Sequence, residues 1–183
     1  MSRDEEIESV YVGGAKPSSY PIKLVDYDPE WPQQYAKEAD RVRAALGDKV
    51  IQLEHVGSTS VPGLPAKPIL DMLLVVADSA DEPSYVPAMQ AAGFVLTIRE
   101  PKWFQHRVFK GPAADLNLHV FSRGCEEIPR MLAFRDHLRR NAADRELYAN
   151  AKRDLAKKTW KYVQHYADAK TEVVREILKR ALA

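Results

Sequence analysis

The sequence predicts an α+β fold, a mixed β-sheet flanked by helices with a helical subdomain at the C-terminal end. Three observations carry this. Between Ile51 and Phe121 the apolar residues come in short, strand-length blocks separated by glycine, proline, serine and threonine. Only two helix-like stretches, near 29–46 and 81–92, accompany those blocks. From Glu126 onward the apolar residues recur at helical spacing alone. Strands first and helices afterwards read as α+β rather than as an alternating α/β order.

Taken in order, residues 1–20 mix charge with Gly13, Gly14, Pro17, Ser18 and Ser19 and keep no period, so they are expected to be a flexible N-terminal arm without a site. Ile22 to Tyr27 alternates weakly, as a short strand does. Asp28 and Pro29 offer a cap and a first-turn proline to the helix that follows. Trp31, Tyr35, Ala39, Val42 and Leu46 share one face of it, and Gly47 ends it. Ile51 to Val56 has strand composition, 57–68 is a loop, and Ile69 to Val76 is an apolar strand interrupted by Asp71. A helix from Asp81 to Ala92 stops at Gly93. Strands are expected at Phe94 to Ile98, Trp103 to Lys110 and Asp115 to Phe121. Beyond Glu126, one helix carries Ile128, Met131, Leu132 and Leu138, and Asn141 with Asp144 resembles a capping box that opens a second. Tyr162, Tyr166, Ala169, Val173, Ile177 and Ala181 make the stripe of a third, long one. The chain thus divides into the arm (1–20), an α+β core (21–125) and a helical subdomain (126–183). Its 183 residues suit one structural domain against a prior of about 150 residues each.

Composition narrows the function. Hydrophobic residues at 45% and charged residues at 29% exclude collagen-like, disordered and disulfide-scaffold classes. The single cysteine, Cys125, closes no disulfide within the chain and points to a reducing compartment. The opening MSRDEEIESV is acidic where a secretory leader is basic and then apolar. The longest clean apolar run, Met72 to Ala77, falls far short of the ~20 residues of a membrane span. A soluble, cytoplasmic protein without a membrane partner is expected. A net charge of +1 argues against general nucleic-acid binding, yet 126–183 carries +5 and the remainder −4. That basic excess is either a solvated helix surface or the cations of a phosphate site.

The chemistry concentrates in one stretch, HVGSTSVPGLPAKPILD at 55–71. Gly57 adds no side-chain wall, so the backbone and hydroxyls of Ser58 and Thr59 can approach an anion closely. Lys67 ends the same loop and can reach that anion, or it is a solvated loop lysine. Thirteen residues after Ser58, Asp71 stands in the next strand. The arrangement is either a phosphate-holding turn beside a metal-binding carboxylate or a tight turn with an aspartate at a strand edge.

This segment resembles the GrpB family (UPF0157). So do LNLHVF at 116–121, MLAFRDHLRRN at 131–141, YANAKRDLA at 148–156 and Tyr166-x-x-x-Lys170, all in the family's order. The resemblance implies a nucleotidyltransferase-like core, in which a Gly-Ser turn is followed by an Asp-x-Asp pair and a third carboxylate. It implies a nucleoside triphosphate with Mg²⁺ as ligand and an acceptor of unknown kind. It also implies phosphate roles for Arg135, Lys152 and Lys170 on the C-terminal helices, although Arg135 with Asp136 also reads as a structural ion pair. Asp71 is the catalytic and metal-holding carboxylate of this reading.

One departure is plain. The second acid of the pair falls at residue 73, which is leucine, and losing it removes roughly half of a two-metal ligand field. Alternation along 115–121 sends Asp115, Asn117 and His119 to one face, where Asn117 and His119 could join Asp71 with Asp115 at the rim. His55, His119 and Asp71 are also the residue types of a two-histidine, one-carboxylate centre for Zn²⁺ or Fe²⁺. Three functions therefore stand. The first is a nucleotidyltransferase-like protein binding a triphosphate with Mg²⁺. The second is a catalytically silent phosphate-binding module, for which Leu73 speaks. The third is a histidine–carboxylate metal hydrolase.

Overall fold

The computed structural model describes residues 1–183. Its centre is a five-stranded mixed sheet in the order β1-β2-β5-β4-β3, with β1 Gln52–Val56, β2 Leu70–Val76, β3 Val95–Glu100, β4 His106–Lys110 and β5 Leu116–Ser122. Only the β2–β5 pair is parallel. In register partners share a face, so two lists of residues follow from the pairing. Leu70, Met72, Leu74 and Val76 face one way with Leu116, Leu118 and Val120, and bury against α2 (Trp31–Leu46) and α3 (Val86–Ala91). Asp71, Leu73 and Val75 face the other way with Asn117, His119 and Phe121.

On that second face α4 (Glu127–Arg140) covers Val56, Leu73, Val75 and Phe121 through Ile128. Leu73 is completely buried there. Next to α4 stand α5 (Ala142–Ala156), α6 (Val163–Ala169) and α7 (Thr171–Ala181). Their core of Leu138, Tyr148, Ala149 and Ile177 admits Val61 and Leu64 from the 57–68 loop, which clamps that loop between sheet and helices. His137 and Arg180 both hold Asp144, His137 at 2.6 Å and Arg180 through two contacts of 2.6 and 2.9 Å, tying α4, α5 and α7 together. No helix is long and apolar enough to cross a membrane.

Several elements differ from the sequence expectation. The strand expected at 22–27 is one bridge, Val25 with Ala66. Helix α2 starts at Trp31 with Pro32 in its first turn, because Asp28 accepts from the Glu30 N–H in a turn of its own. The 81–92 helix splits into a 3₁₀ turn at Glu82–Ser84 and α3. Strand β4 begins only at His106, since Phe104 and Gln105 take positive φ in a tight turn. The long third helix breaks at Lys170 into α6 and α7.

The largest difference is at the start of the chain. Residues Arg3–Ser9 form α1, closed by a Ser2–Glu5 capping box, and Ile7 is buried. The arm then lies along β3, where the Val12 N–H donates to the Thr97 carbonyl and the Arg99 N–H to the Val10 carbonyl. On its other side Arg3 grips Asp168 with two contacts of 2.8 and 3.0 Å, and Asp4 meets Lys161 and His165. These partners lie far away in sequence, so no local period announces the ordering.

Candidate functional site

A cavity of about 1170 Å³ opens on the second face of the sheet, between the strands, the C-terminal helices and the N-terminal arm. One end of it is built from the 57–68 loop, β2, β5 and the turn at Lys170. Gly57 has φ 70° and ψ −172°, a conformation closed to residues with a side chain. A Cβ there would stand 2.6 Å from Asp71 Oδ2. The glycine therefore lets the loop fold flat onto the aspartate and brings Ser58 to the cavity wall.

Three lysines converge on this end. Lys152 Nζ donates to Ser58 Oγ at 2.7 Å and to the Pro65 carbonyl, and stands 5.1 Å from the centre of the Tyr148 ring. Lys170 lies 4.7 Å from the Tyr166 ring centre and 6.0 Å from that of Tyr148, and Lys67 lies 5.7 Å from Tyr166. The break between α6 and α7 is what places Lys170 there. Burial first, and mutual repulsion second, push Lys67 down to about 8 and Lys152 well below the ordinary lysine value. Burial alone takes Lys170 to about 8 against the pull of Asp71. Asp71 is the carboxylate that all three share.

Asp71 itself is heavily engaged. Its Oδ1 accepts from His119 Nε2 at 3.1 Å and from Asn117 Nδ2 at 3.4 Å, while Lys110 donates to Asn117 Oδ1 at 2.6 Å. Burial works against its charge, but the hydrogen bonds and the attraction of His119 and Lys67 hold its carboxyl below the usual value. His119 Nδ1 meets His106 Nε2 at 3.0 Å, and His106 Nδ1 meets Glu100 Oε2 at 2.6 Å. Four side chains from four strands thus form one string, Glu100–His106–His119–Asp71.

Of the residues singled out from sequence, Gly57, Ser58, Lys67, Asp71, Asn117 and His119 meet at this end, joined by Lys152 and Lys170. Three others do not. His55 pairs with Met72, so it points to the opposite face, stacks on Tyr35 with ring centres 4.8 Å apart, and contacts Thr59 Oγ1 at 2.9 Å. Burial pushes it down to about 4, and no two-histidine, one-carboxylate centre can include it. Thr59 is buried with it and faces away from the cavity. Arg135 bonds Glu54, the His55 carbonyl and Asp136, and so pins α4 to β1 rather than facing the cavity. Asp115 stays exposed at the rim, 3.9 Å from Lys110.

Sequence reasoning passed over His106 and the N-terminal arm, which walls the far end of the cavity with Ile7, Val10 and Tyr11. The alternation of His106, Val108 and Lys110 on β4 was the available signal for the first. The Ser2-x-x-Glu5 capping pattern was the signal for the second.

The family model described as GrpB protein matches residues 21–180. The chain belongs to the GrpB family. The UPF0157 protein BH1888 of Halalkalibacterium halodurans is 61% identical over 98% of this chain and 92% of its own length. The crystal structure of the conserved protein GrpB from Enterococcus faecalis superposes with a TM-score of 0.77 at 31% identity, covering 87% of this chain and 97% of that one. Cid1 in complex with its short product ApU gives a TM-score of 0.54 at 12% identity, covering 73% of this chain and 43% of Cid1. The GrpB chain therefore has a nucleotidyltransferase-like fold.

The donors present do not fit the two-metal centre that the sequence resemblance led us to expect. Position 73 is a buried leucine, position 117 is an amide already engaged, and no three His, Cys, Asp or Glu side chains converge on one point.

Proposed function

We propose that this GrpB protein binds a nucleoside triphosphate in the cavity, with the phosphates on Lys67, Lys152 and Lys170 beside the Gly57–Ser58 turn. The observation that carries the reading is the crowding of cations: three half-buried or buried lysine side chains converge on Asp71, the one carboxylate common to all of them, and burial lowers the pKa of each. Such a cluster is costly without an anion and is relieved by one. The tyrosine rings of Tyr148 and Tyr166 fix the ammonium groups from behind.

The test is thermal stabilisation by ATP, GTP, UTP, tripolyphosphate and AMP. A ligand at 100 times its Kd adds about 2.7 kcal/mol, which is roughly 5–10 °C for a chain of this size. Triphosphates are expected to stabilise, AMP to do so far less, and Lys67→Met with Lys170→Met to abolish the shift. Equal shifts in wild type and the double variant overturn the reading.

A second reading, binding without nucleotidyl transfer, is favoured by the fully buried Leu73 in place of a second acid. Incubation with γ-labelled triphosphate separates the two: release of labelled pyrophosphate marks breakage of the bond between the α- and β-phosphates, as transfer requires, and binding with none marks a silent module.

A further inference from the structure

A second hollow, of about 600 Å³, lies at the outer edge of β1, the first strand of the sheet. The 57–68 loop separates it from the cavity: Ser58 lines the cavity, Ser60 lines the hollow, and no residue lines both. Its volume is that of a small-molecule site.

Three arginines line it, Arg135 and Arg139 of α4 and Arg145 of α5. Each is fastened to backbone carbonyls, which fix a guanidinium without neutralising it. Arg135 Nη1 donates to the His55 carbonyl at 3.0 Å and Arg139 Nε to that of Ser60 at 2.9 Å. Arg145 Nη1 donates to the Leu138 and Arg139 carbonyls at 2.9 and 3.2 Å. The acids beside them, Glu54 and Asp136, are both engaged by Arg135, at 2.8 and 2.9 Å. Arg139 is left with a contact of 3.9 Å to Asp136, and Arg145 with no carboxylate partner. Burial first, and Arg135 among the charges, push the Arg139 guanidinium down from its ordinary value.

The Nε–Nη2 edge of Arg145, the side that meets an oxyanion with two parallel bonds, carries no hydrogen bond. Gly63 runs beside that edge: a Cβ on it would stand 3.8 Å from Arg145 Nε. Two arginines without an acid of their own suit the three oxygens of a phosphate group better than the two of a carboxylate. The rest of the wall is Tyr27, Pro32, Tyr35 and Pro62. Tyr35 is partly exposed, yet held by its stack on His55 and by its hydroxyl, which donates to the Leu53 carbonyl at 3.2 Å. Tyr27 meets the Trp31 ring edge-on, with ring centres 5.4 Å apart. Rings fixed in this way offer a flat group a rigid apolar surface.

We propose that this hollow is a second binding site, separate from the cavity, for a small phosphomonoester with a flat ring, its phosphate on Arg139 and Arg145 and its ring against Tyr27 and Tyr35. The proposal does not rest on the triphosphate reading.

Phenyl phosphate is the probe. Calorimetry is expected to show it binding to the wild type and, within about twofold, to Lys67→Met with Lys170→Met, in which the cavity has lost its cations. Adding Arg145→Gln to that double variant is expected to weaken binding roughly tenfold or more, the loss of one charge-assisted pair. Inorganic phosphate and phenol are each expected to bind more weakly than phenyl phosphate. A second measurement needs no variant to fold: in ¹⁵N spectra of the wild type, the Arg145 Nε–H resonance is expected to move as phenyl phosphate is added. Absence of binding, or binding lost with the two lysines, overturns the proposal. Unchanged affinity in Arg145→Gln, or an Arg145 resonance that stays still, reduces that residue to a cap on α4 and overturns it too. Inorganic phosphate binding as tightly as phenyl phosphate overturns the ring as part of the ligand.

Discussion

Replacing Gly57 with alanine tests whether the loop is pressed onto Asp71. The backbone at φ 70°, ψ −172° is open almost only to glycine, and forcing a Cβ into it costs about 1–3 kcal/mol. The new methyl would also stand 2.6 Å from Asp71 Oδ2 and 2.8 Å from Asp71 Cβ, distances at which one side must move. Asp71 cannot swing freely, because His119 and Asn117 hold its other oxygen, and a hydrogen bond to a charged group is worth about 1.5–3 kcal/mol. The expected loss is about 3–4 kcal/mol, or a fall in Tm of roughly 6–15 °C. Gly124 supplies the control: its φ is 83°, and a Cβ built on it meets nothing within 4 Å, so Gly124→Ala carries the backbone cost alone. Urea unfolding of both variants at pH 7 gives the difference directly. If Gly57→Ala costs no more than Gly124→Ala, the contact with Asp71 is not a constraint and the account of the turn is wrong.

Four further outcomes are expected. Leu73→Ala should cost about 2–5 kcal/mol as a core truncation, and Leu73→Asp more, because it also buries a carboxylate under α4; a Leu73→Asp protein as stable as wild type would place residue 73 in the open cavity. Triphosphate affinity should fall as pH rises through about 8, where Lys67 and Lys170 lose their protons. Stability of the free protein should move the opposite way, rising between about 8 and 10.5 because the unfolded chain binds more protons there; calorimetry and urea midpoints at pH 7 and 9.5 that both stay flat would refute the assignment. Asp144→Asn should cost about 2 kcal/mol, less than a fully buried pair because Arg180 is half-exposed; Asp144 is held down at about 2 by Arg180 and His137, so its contribution is complete above pH 3.8 and disappears as pH falls through about 2, and an unchanged urea midpoint for the variant at pH 7 contradicts this. His55→Ala should leave triphosphate binding within about twofold of wild type, since it lies on the opposite face; a large loss would reinstate the histidine–carboxylate centre.

Much of the fold was legible because its signals are local. Strands β1, β2 and β5 and helices α4 and α5 lie within a residue or two of where period and caps place them, and the Asn141 side chain caps the Asp144 N–H as the pattern suggests. Gly57, Ser58, Lys67 and Asp71 are contiguous on one loop and one strand, so their meeting needs no long-range information. His55 was misplaced because its direction depends on the antiparallel register with β2, in which Val56, not His55, stands opposite Asp71. His106 went unseen because it reaches the cavity only through the pairing of β4 with β5. Arg135 lies in one of the motifs that carry the family resemblance, yet the rotation of α4 directs it to Glu54. In each case the missing quantity was a register or a helix rotation, set by packing between segments far apart in sequence.

The contact of the arm with β3 bears on how this molecule behaves when handled. β3 is the last strand of the sheet, and on that side its outer backbone groups are met by Val10 and Val12. An uncovered strand of this kind is a template for the backbone of another molecule. The family match begins only at residue 21, so a protein trimmed to that boundary keeps α2 to α7 and all five strands but loses α1 and presents a bare β3. Solubility at high concentration, more than folding, is what such a truncation puts at stake.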